Sequence, residues 1–239
     1  LGSVARGAIL EDVIRQGYDL SADASVSIRN TDGRILVFGS EGERLEIIAT
    51  RRAFSKERLE AIKVAVTIDG NAALIETILP PAPPASLFAD RSGTVDYVIL
   101  VPQNCTLAQV ELANGEMLIE GMRGPRIEAR LGKGILSLND CFSAVQAGLG
   151  QGRMKVRFDW WEPGTFSLVA EVAQGELRVA LPPVGAALQI DAVSTQGKVL
   201  NDFSPKKSSA PRLDEQFGNG SAVEFKLRAS GHIRLQRAY

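Results

Sequence analysis

The sequence predicts an all-β protein, a single-stranded β-solenoid or β-helix-like repeat ladder preceded by N-terminal strands, one short helix and a hairpin. Three observations support this prediction. Apolar and polar residues alternate with a period of two over most of the 239 residues, which is typical of strands with one buried face. Within this alternation a glycine recurs at short, similar intervals, and equivalent positions around each glycine hold the same class of residue.

The repeat is clearest between residues 108 and 201. A small residue such as Ala147 stands five positions before the glycine, and a large apolar residue such as Met154 stands two positions after it. We interpret the small residue as a narrow place in a shared core, and the glycine as a turn residue that needs positive φ. The repeat glycines are Gly33, Gly115, Gly134, Gly152, Gly175, Gly197 and Gly231.

Two architectures fit such a repeat. In a β-meander each glycine would join antiparallel neighbours, whereas in a solenoid equivalent positions stack about 4.8 Å apart along one axis. The constant phase of small and large residues favours the solenoid. We therefore expect residues 1–80 to form a β-rich segment that caps the ladder and residues 94–239 to form the repeat region, together one continuous structural unit.

The N-terminal part shows strand, helix and hairpin signals in that order. Residues 24–50 alternate as strands, and Ser55 then opens a short helix over 55–63 as a plausible N-cap. The helix is followed by two alternating runs on either side of Asp69-Gly70, a pattern typical of a hairpin.

Two polar or proline-rich stretches interrupt the pattern. Residues 80–93 contain four of the prolines and are predicted to be a surface loop or linker. Residues 204–220, which include Lys206 and Lys207, are predicted to leave one coil as a mobile polar excursion.

The two cysteines test the proposed register. Cys105 and Cys141 lie at nearly the same phase two coils apart, a separation of about 9–10 Å along a solenoid axis. A disulfide needs Cα atoms within about 7 Å. We expect two free, mostly buried thiols and no disulfide.

Composition argues against several kinds of partner. The chain has 27 Lys and Arg against 28 Asp and Glu, a formal net charge of −1, which disfavours broad electrostatic capture of nucleic acid or an anionic membrane. One His and two Cys leave little for a metal site, so we expect no metal and no cofactor. No apolar run approaches the roughly 18–20 residues of a membrane-spanning helix.

The chain begins at Leu1, and we expect that a natural N-terminus, with any signal or anchor, has been removed.

Catalytic patterns are weak throughout. His232 is the one imidazole, and no Gly-x-Ser-x-Gly nucleophile motif is present, so we interpret His232 as a surface strand residue. The carboxylates that could serve a sugar-cleaving site are scattered and alternate with apolar neighbours, as solvated outward residues do. They are Asp96, Glu111, Glu120, Glu128, Asp140, Asp159 and Glu171.

Trp160 and Trp161 are the candidate ligand-binding residues. They stand between Asp159 and Glu162, just before Pro163-Gly164. Aromatic faces bind the apolar faces of sugars while nearby polar groups orient the hydroxyls. One ring is expected to point inward and the other outward. The alternative is that the exposed position is only a tryptophan that covers the ladder where the coil lengthens.

The order of short motifs from about residue 20 to 237 resembles a bacterial family of β-strand-repeat proteins, the "putative adhesins" of unknown function. An opening Asn30-Thr31-Asp32-Gly33 turn is followed by Ala-Thr-Arg-Arg-Ala at 49–53 and by Val-Asp-Tyr with a Val-Pro pair within 95–107. Asn114-Gly115-Glu116-Met117 then matches the family's repeated Asn-Gly-Asp-Ile turn, from which later copies drift.

The resemblance implies a β-solenoid-like fold and an exported or membrane-anchored setting in the cell envelope, with no catalytic residues to carry over. The favoured hypothesis is a non-catalytic surface module whose partner is a glycan or a cell-surface protein. Two alternatives stay open. One is a carbohydrate-active β-helix enzyme, and the other is a self-assembling structural envelope protein whose end coils stack.

Overall fold

A computed structural model describes residues 9–81, 92–182, 187–203, 209–218 and 223–238. These residues form sixteen strands and one helix, and every strand belongs to one mixed sheet. The helix, α1, spans Lys56–Ala61. The strands are β1 (Leu10–Asp19), β2 (Ser25–Ser40), β3 (Arg44–Ala53), β4 (Lys63–Asp69), β5 (Ala72–Ile78), β6 (Thr94–Pro102), β7 (Thr106–Glu120), β8 (Arg126–Asn139), β9 (Ala144–Arg157), β10 (Phe166–Leu181), β11 (Leu188–Ser194), β12 (Val199–Asn201), β13 (Ser209–Ala210), β14 (Arg212–Phe217), β15 (Val223–Ala229) and β16 (Ile233–Arg237).

The long central strands β7 to β10 pair side by side, in parallel and in register at the repeat glycines. Gly115 lies opposite Gly134, Gly134 opposite Gly152, and Gly152 opposite Gly175. β2 continues this row, with Gly33 opposite Gly115. Because a meander would need antiparallel neighbours here, that alternative is wrong for these strands.

The apolar rows that the repeat predicts form the core. Ala129, Ala147 and Ala170 occupy one row across three neighbouring strands, and all are buried. The large residues two positions after the glycines form a second buried row. They are Met117, Leu136, Met154 and Leu177. The predicted assignment of inward and outward positions is therefore confirmed for these strands.

Five of the repeat glycines lie inside strands and bend them, contrary to the turn predicted from sequence: Gly33, Gly115, Gly134, Gly152 and Gly175. Gly197 and Gly231 lie between strands, as predicted. Gly134 lies inside β8 with φ of 140°. A Cβ at this position would lie 1.8 Å from the carbonyl oxygen of Gly115 in the next strand. Backbone pairing continues through the bend on both sides, so glycine is required both for its φ and for the close approach of the neighbouring backbone.

The last repeat is out of sequence order. β15 lies between β10 and β11, and β16 pairs with both β10 and β12. The backbone N–H of Gly231 donates to Gly175 O at 2.8 Å. The Gly231 copy therefore lies next to β10, between two elements that precede it in the sequence. The connection through 204–220 is long enough for the chain to return and insert its final copy.

The predicted polar excursion over 204–220 is also corrected where the structure describes it. Within 209–218, β13 and β14 pair antiparallel with β12 and β11, and Leu213 is buried. Alternation through Arg212–Phe217 is short and mostly polar, so the sequence pattern alone does not distinguish this strand from a loop. The remainder of that segment, and residues 82–91 of the predicted 80–93 loop, lie outside the described residues.

The N-terminal predictions agree with the structure at the level of elements. Ser55 caps α1, its Oγ accepting the backbone N–H of Arg58 at 3.3 Å. β4 and β5 form the predicted antiparallel hairpin at Asp69-Gly70. β2 lies between β6 and β7 in the sheet, while β1 and β3 pair antiparallel beyond β6.

Cys105 and Cys141 are both free and buried. Burial raises the pKa of each thiol to about 12, so near neutral pH both are protonated, apolar core residues without thiolate reactivity. Within the described ranges, no helix is long and apolar enough to span a bilayer.

Candidate functional site

The two tryptophans lie in the connection between β9 and β10, where the chain leaves the regular strand pattern for eight residues. Phe158 and Phe166 anchor the two ends of this connection and are both buried. Their ring centroids lie 5.5 Å apart, and each also packs against Phe225 of β15. An aromatic cluster in the core therefore fixes the position of the tryptophan segment.

Trp160 and Trp161 point to different environments, as the sequence predicts. Trp161 stacks on Phe158, with ring centroids 5.8 Å apart and an interplanar angle of 19°, and packs against the core. Trp160 is 46% exposed and rests one side against Phe142, at a centroid distance of 5.9 Å. Trp161 is thus a packing residue, and Trp160 presents aromatic surface to solvent.

Polar groups hold Trp160 at its edge. Its indole Nε1 donates to Glu162 Oε1 at 3.2 Å. The Nε of Arg123 donates to both carboxylate oxygens of Glu162 at 3.0 Å, and its Nη2 also contacts Oε1. The same guanidinium lies 5.7 Å from the ring centroid of Phe142. Two further bonds from Arg123 Nη1, each 3.0 Å, go to Gln103 Oε1 and Gly121 O.

This arrangement suits binding more than chemistry. An exposed indole with a carboxylate and a guanidinium at its rim offers one apolar face and fixed donors and acceptors beside it. That combination matches a sugar ring, which has apolar C–H faces and an equatorial rim of hydroxyls. Within the described residues, the ring and hydrogen-bond partners of Trp160 are Phe142 and the Glu162 carboxylate, and Arg123 already pairs with that carboxylate.

Sequence reasoning missed Arg123 and Phe142. Both lie in connections between strands, Arg123 before β8 and Phe142 before β9. They lie near Trp160 because the connections that follow successive parallel strands stack on one another at the same ends of those strands. This arrangement depends on the strand order. The sequence signal available was that each residue precedes its repeat glycine by a similar distance.

Most of the candidate carboxylates have structural partners. Burial acts to raise the pKa of Asp96, but hydrogen bonds from Arg34 and Arg52 outweigh it and hold that pKa below the usual range. Four others lie close to neighbouring donors or cations: Glu111 by Gln109 and Arg130, Glu120 by Asn139, Glu128 by Arg126 and Arg130, and Asp159 by Arg157. Glu171 is exposed beside a shallow groove of about 680 Å³ on the outer face of β8 to β10.

Three of the candidate acids come together at one place. Asp140 is buried in a left-handed conformation with φ of 48°, and its Oδ1 accepts the backbone N–H of Asp159 at 2.8 Å. Burial raises the pKa of Asp140, and the negative charges of Asp159 and Glu120 act in the same direction. By accepting this hydrogen bond from Asp159, the Asp140 carboxylate holds the start of the tryptophan segment in place.

The remaining predicted positions are unremarkable in geometry. His232 is exposed just before β16, and its Nδ1 accepts the backbone N–H of Lys198 at 3.1 Å. Among the residues that the structure describes, no group of three or more His, Cys, Asp or Glu side chains could hold a metal ion.

The chain matches no family model, and no curated protein matches it. Among solved structures, a "putative cell adhesion protein" from Clostridium sporogenes has a TM-score of 0.59 at 15% sequence identity, covering 97% of this chain and 100% of that one. A "putative adhesin" from Bacteroides fragilis has a TM-score of 0.31 at 9% identity, covering 94% and 97% of the two chains. The first similarity shows a shared fold.

Proposed function

We propose that this chain is a non-catalytic, adhesin-like interaction module of an exported or membrane-anchored protein at the cell surface, and that it binds glycan at Trp160. The proposal is supported by the fold shared with a solved structure named a "putative cell adhesion protein". It also agrees with the resemblance that the order of sequence motifs indicates, including the Asn-Gly-Asp-Ile type of turn.

The architecture proposed for this module is a single-stranded β-solenoid over residues 94–239. Its support is the parallel, in-register stacking of β7 to β10 at their bend glycines. The N-terminal elements are proposed to cap one end, where β1, β3 and β4 pair antiparallel with their neighbours. Such a stack presents long, rigid outer faces that suit extended partners.

The observation on which the binding proposal rests is the half-exposed indole of Trp160. Exposing a large aromatic side chain to water is unfavourable. Trp160 is nevertheless held outward by Phe142 beneath it and by Glu162 at its edge. Since Trp161 and the phenylalanines already fill the core at this place, Trp160 adds little to packing. An aromatic surface fixed in this way is typical of a recognition site.

One observation favours a second candidate, a carbohydrate-active enzyme. Asp140 combines burial, a raised pKa and two neighbouring acids, features that also occur at catalytic acids. The carboxylate, however, already accepts a backbone hydrogen bond from Asp159, and it does not line the nearby groove to which Asn139 and Arg157 belong. The binding module is therefore the preferred proposal.

Glycan-array and cell-wall binding of the wild type beside Trp160→Ala tests the proposal. We expect the wild type to bind a defined glycan, and Trp160→Ala to bind it at least roughly tenfold more weakly, because a hot-spot aromatic is worth more than about 1.4 kcal/mol. Circular dichroism and thermal melting establish that each variant is folded.

Phe54→Ala is the matched control, because Phe54 is also an exposed aromatic, at 59%, but belongs to a different part of the chain. It should bind as the wild type does. The proposal is contradicted if folded Trp160→Ala binds the glycan with the same affinity as the wild type. It is also contradicted if the wild type binds no glycan at all.

A further inference from the structure

The outer face of β9, β10 and β16 beyond the bend glycines is strongly cationic. Its outward positions hold five cations and one carboxylate, Glu176. The whole chain has a net charge of −1, so the rest of the molecule is net negative. The five cations are Arg153, Lys155, Arg157, Arg178 and Arg234.

Three of these cations form a row across adjacent strands. Arg178 lies opposite Lys155 on one side and opposite Arg234 on the other. Parallel strands place such neighbours about 4.8 Å apart. Each member of the row stands three residues after its repeat glycine, so the repeat itself creates the alignment. We call Lys155, Arg178 and Arg234 the cationic row.

The cationic row is poorly neutralised by the protein. Arg178 contacts Glu176 at 3.4 Å, but Arg153 lies 3.7 Å from that same carboxylate. Within the described part of the chain, Lys155 and Arg234 make no ion pair. Like charges at neighbouring positions of a sheet repel and destabilise it, so the row has an electrostatic cost that an anionic ligand would remove.

The surroundings of the row indicate which anion fits. A groove of about 430 Å³ runs along one side. Its polar lining consists of the neutral Ser137, Asn139 and Gln236, the cations Lys155, Arg157 and Arg178, and one carboxylate, Glu116. A smaller groove of about 190 Å³ on the other side is lined by Arg178 and Arg234 together with Glu176 and His232. Hydroxyl and amide groups match sugar hydroxyls. Among the described residues that line the two grooves, the imidazole of His232 is the one aromatic ring, so the grooves lack the run of aromatic side chains on which successive nucleic acid bases stack.

We infer that the cationic row is a second binding site, which takes a linear acidic polysaccharide running across the strands. This inference rests on the proposed glycan-binding function and adds to it the charge of the ligand. The guanidinium groups of Arg178 and Arg234 pair with successive carboxylates of the polymer, Lys155 contributes a third charge, and Ser137, Asn139 and Gln236 bind hydroxyls. The site is separate from Trp160, which lies in the connection beyond the end of β9.

The test measures binding of polygalacturonate at physiological ionic strength. The wild type is compared with the triple variant Lys155→Gln, Arg178→Gln, Arg234→Gln. We expect the triple variant to bind roughly tenfold more weakly, because it loses three exposed charge pairs that each contribute modestly to binding. We also expect wild-type affinity to fall as salt is added. The melting temperature of the triple variant should equal or exceed that of the wild type, because repulsion is relieved.

Three controls make the outcome specific. The variant Lys56→Gln, Lys63→Gln, Lys226→Gln removes the same charge from other exposed sites and should bind as the wild type does. Methyl-esterified polygalacturonate, which keeps the sugar chain without the charge, should not bind. Trp160→Ala should keep its affinity for polygalacturonate, so failure of this site and failure of the Trp160 proposal are distinguishable.

The inference is overturned if the folded triple variant binds polygalacturonate as tightly as the wild type. It is equally overturned if duplex DNA competes as well as polygalacturonate does, since the row would then be a general polyanion patch, or if the methyl ester binds with equal affinity.

Discussion

Single residues determine where each strand bends. At Gly134 a side chain would meet the backbone of Gly115, and the residue's φ is one that L-residues rarely adopt. Gly148, in the same region of the sheet, is different, because a Cβ there would have nothing within 4 Å. Two glycines that look alike in the sequence therefore have opposite tolerances for substitution.

Gly134→Ala and Gly148→Ala form a matched pair for this difference. We expect Gly134→Ala to destabilise the protein by about 1–3 kcal/mol from backbone strain alone, with the backbone clash adding to it. Gly148→Ala should leave stability unchanged or raise it by up to about 1 kcal/mol, because alanine restricts the unfolded chain. Urea unfolding measures both. Equal effects of the two substitutions would show that the bend is not where the structure places it.

The residues of the Trp160 site could be predicted from sequence only in part. Alternation along a strand predicts one exposed ring of the two, and that ring is Trp160, although the pair lies in a connection and not in a strand. The contacts of Arg123 and Phe142 with this site could not be predicted from sequence. Both residues approach Trp160 only when successive connections stack at the same ends of the strands. In the cationic row, all three residues share one phase of the repeat, whereas the position of Arg234 opposite Arg178 depends on the inserted last copy.

At the scale of elements, alternation and turn signals predicted which segments are strands, but pairing order was predictable only in part. Copies at Gly115 to Gly175 stack in sequence order because their connections are short. The final copy departs from that order. The chain first forms β13 and β14, which pair with β12 and β11, and then returns so that β15 and β16 pair with β10. Local sequence has no signal for such a return.

Phe225→Ala tests the inserted position of β15. Phe225 is fully buried and packs on Phe158 and Phe166, so its loss should cost about 3–5 kcal/mol. If the last copy lay at the end of the sheet, the cost would be smaller. The comparison is Phe217→Ala in β14, a partly buried ring at the sheet's end that pairs with Phe203; it should cost clearly less, as measured by chemical unfolding. A smaller effect for Phe225→Ala than for Phe217→Ala would contradict the observed strand order.

At the scale of the whole molecule, the sheet presents different surfaces at its ends and its faces. Both ends finish in antiparallel strands, β1 and β4 at one end and β13 and β14 at the other. The outer face of β9, β10 and β16 is cationic, while the connection after β9 presents Trp160. The two proposed binding sites therefore lie at different places, one on this face and one in the connection after β9.

The most direct test of this account is to incubate the protein with purified bacterial cell-wall polysaccharide, separate the bound fraction, and measure both the amount retained and the chain length of the eluted glycan. The account predicts saturable retention that Trp160→Ala reduces, with a chain length identical to that of untreated glycan. Shortened chains whose appearance requires Asp140, shown by their loss in Asp140→Asn, would contradict it and establish the enzyme instead.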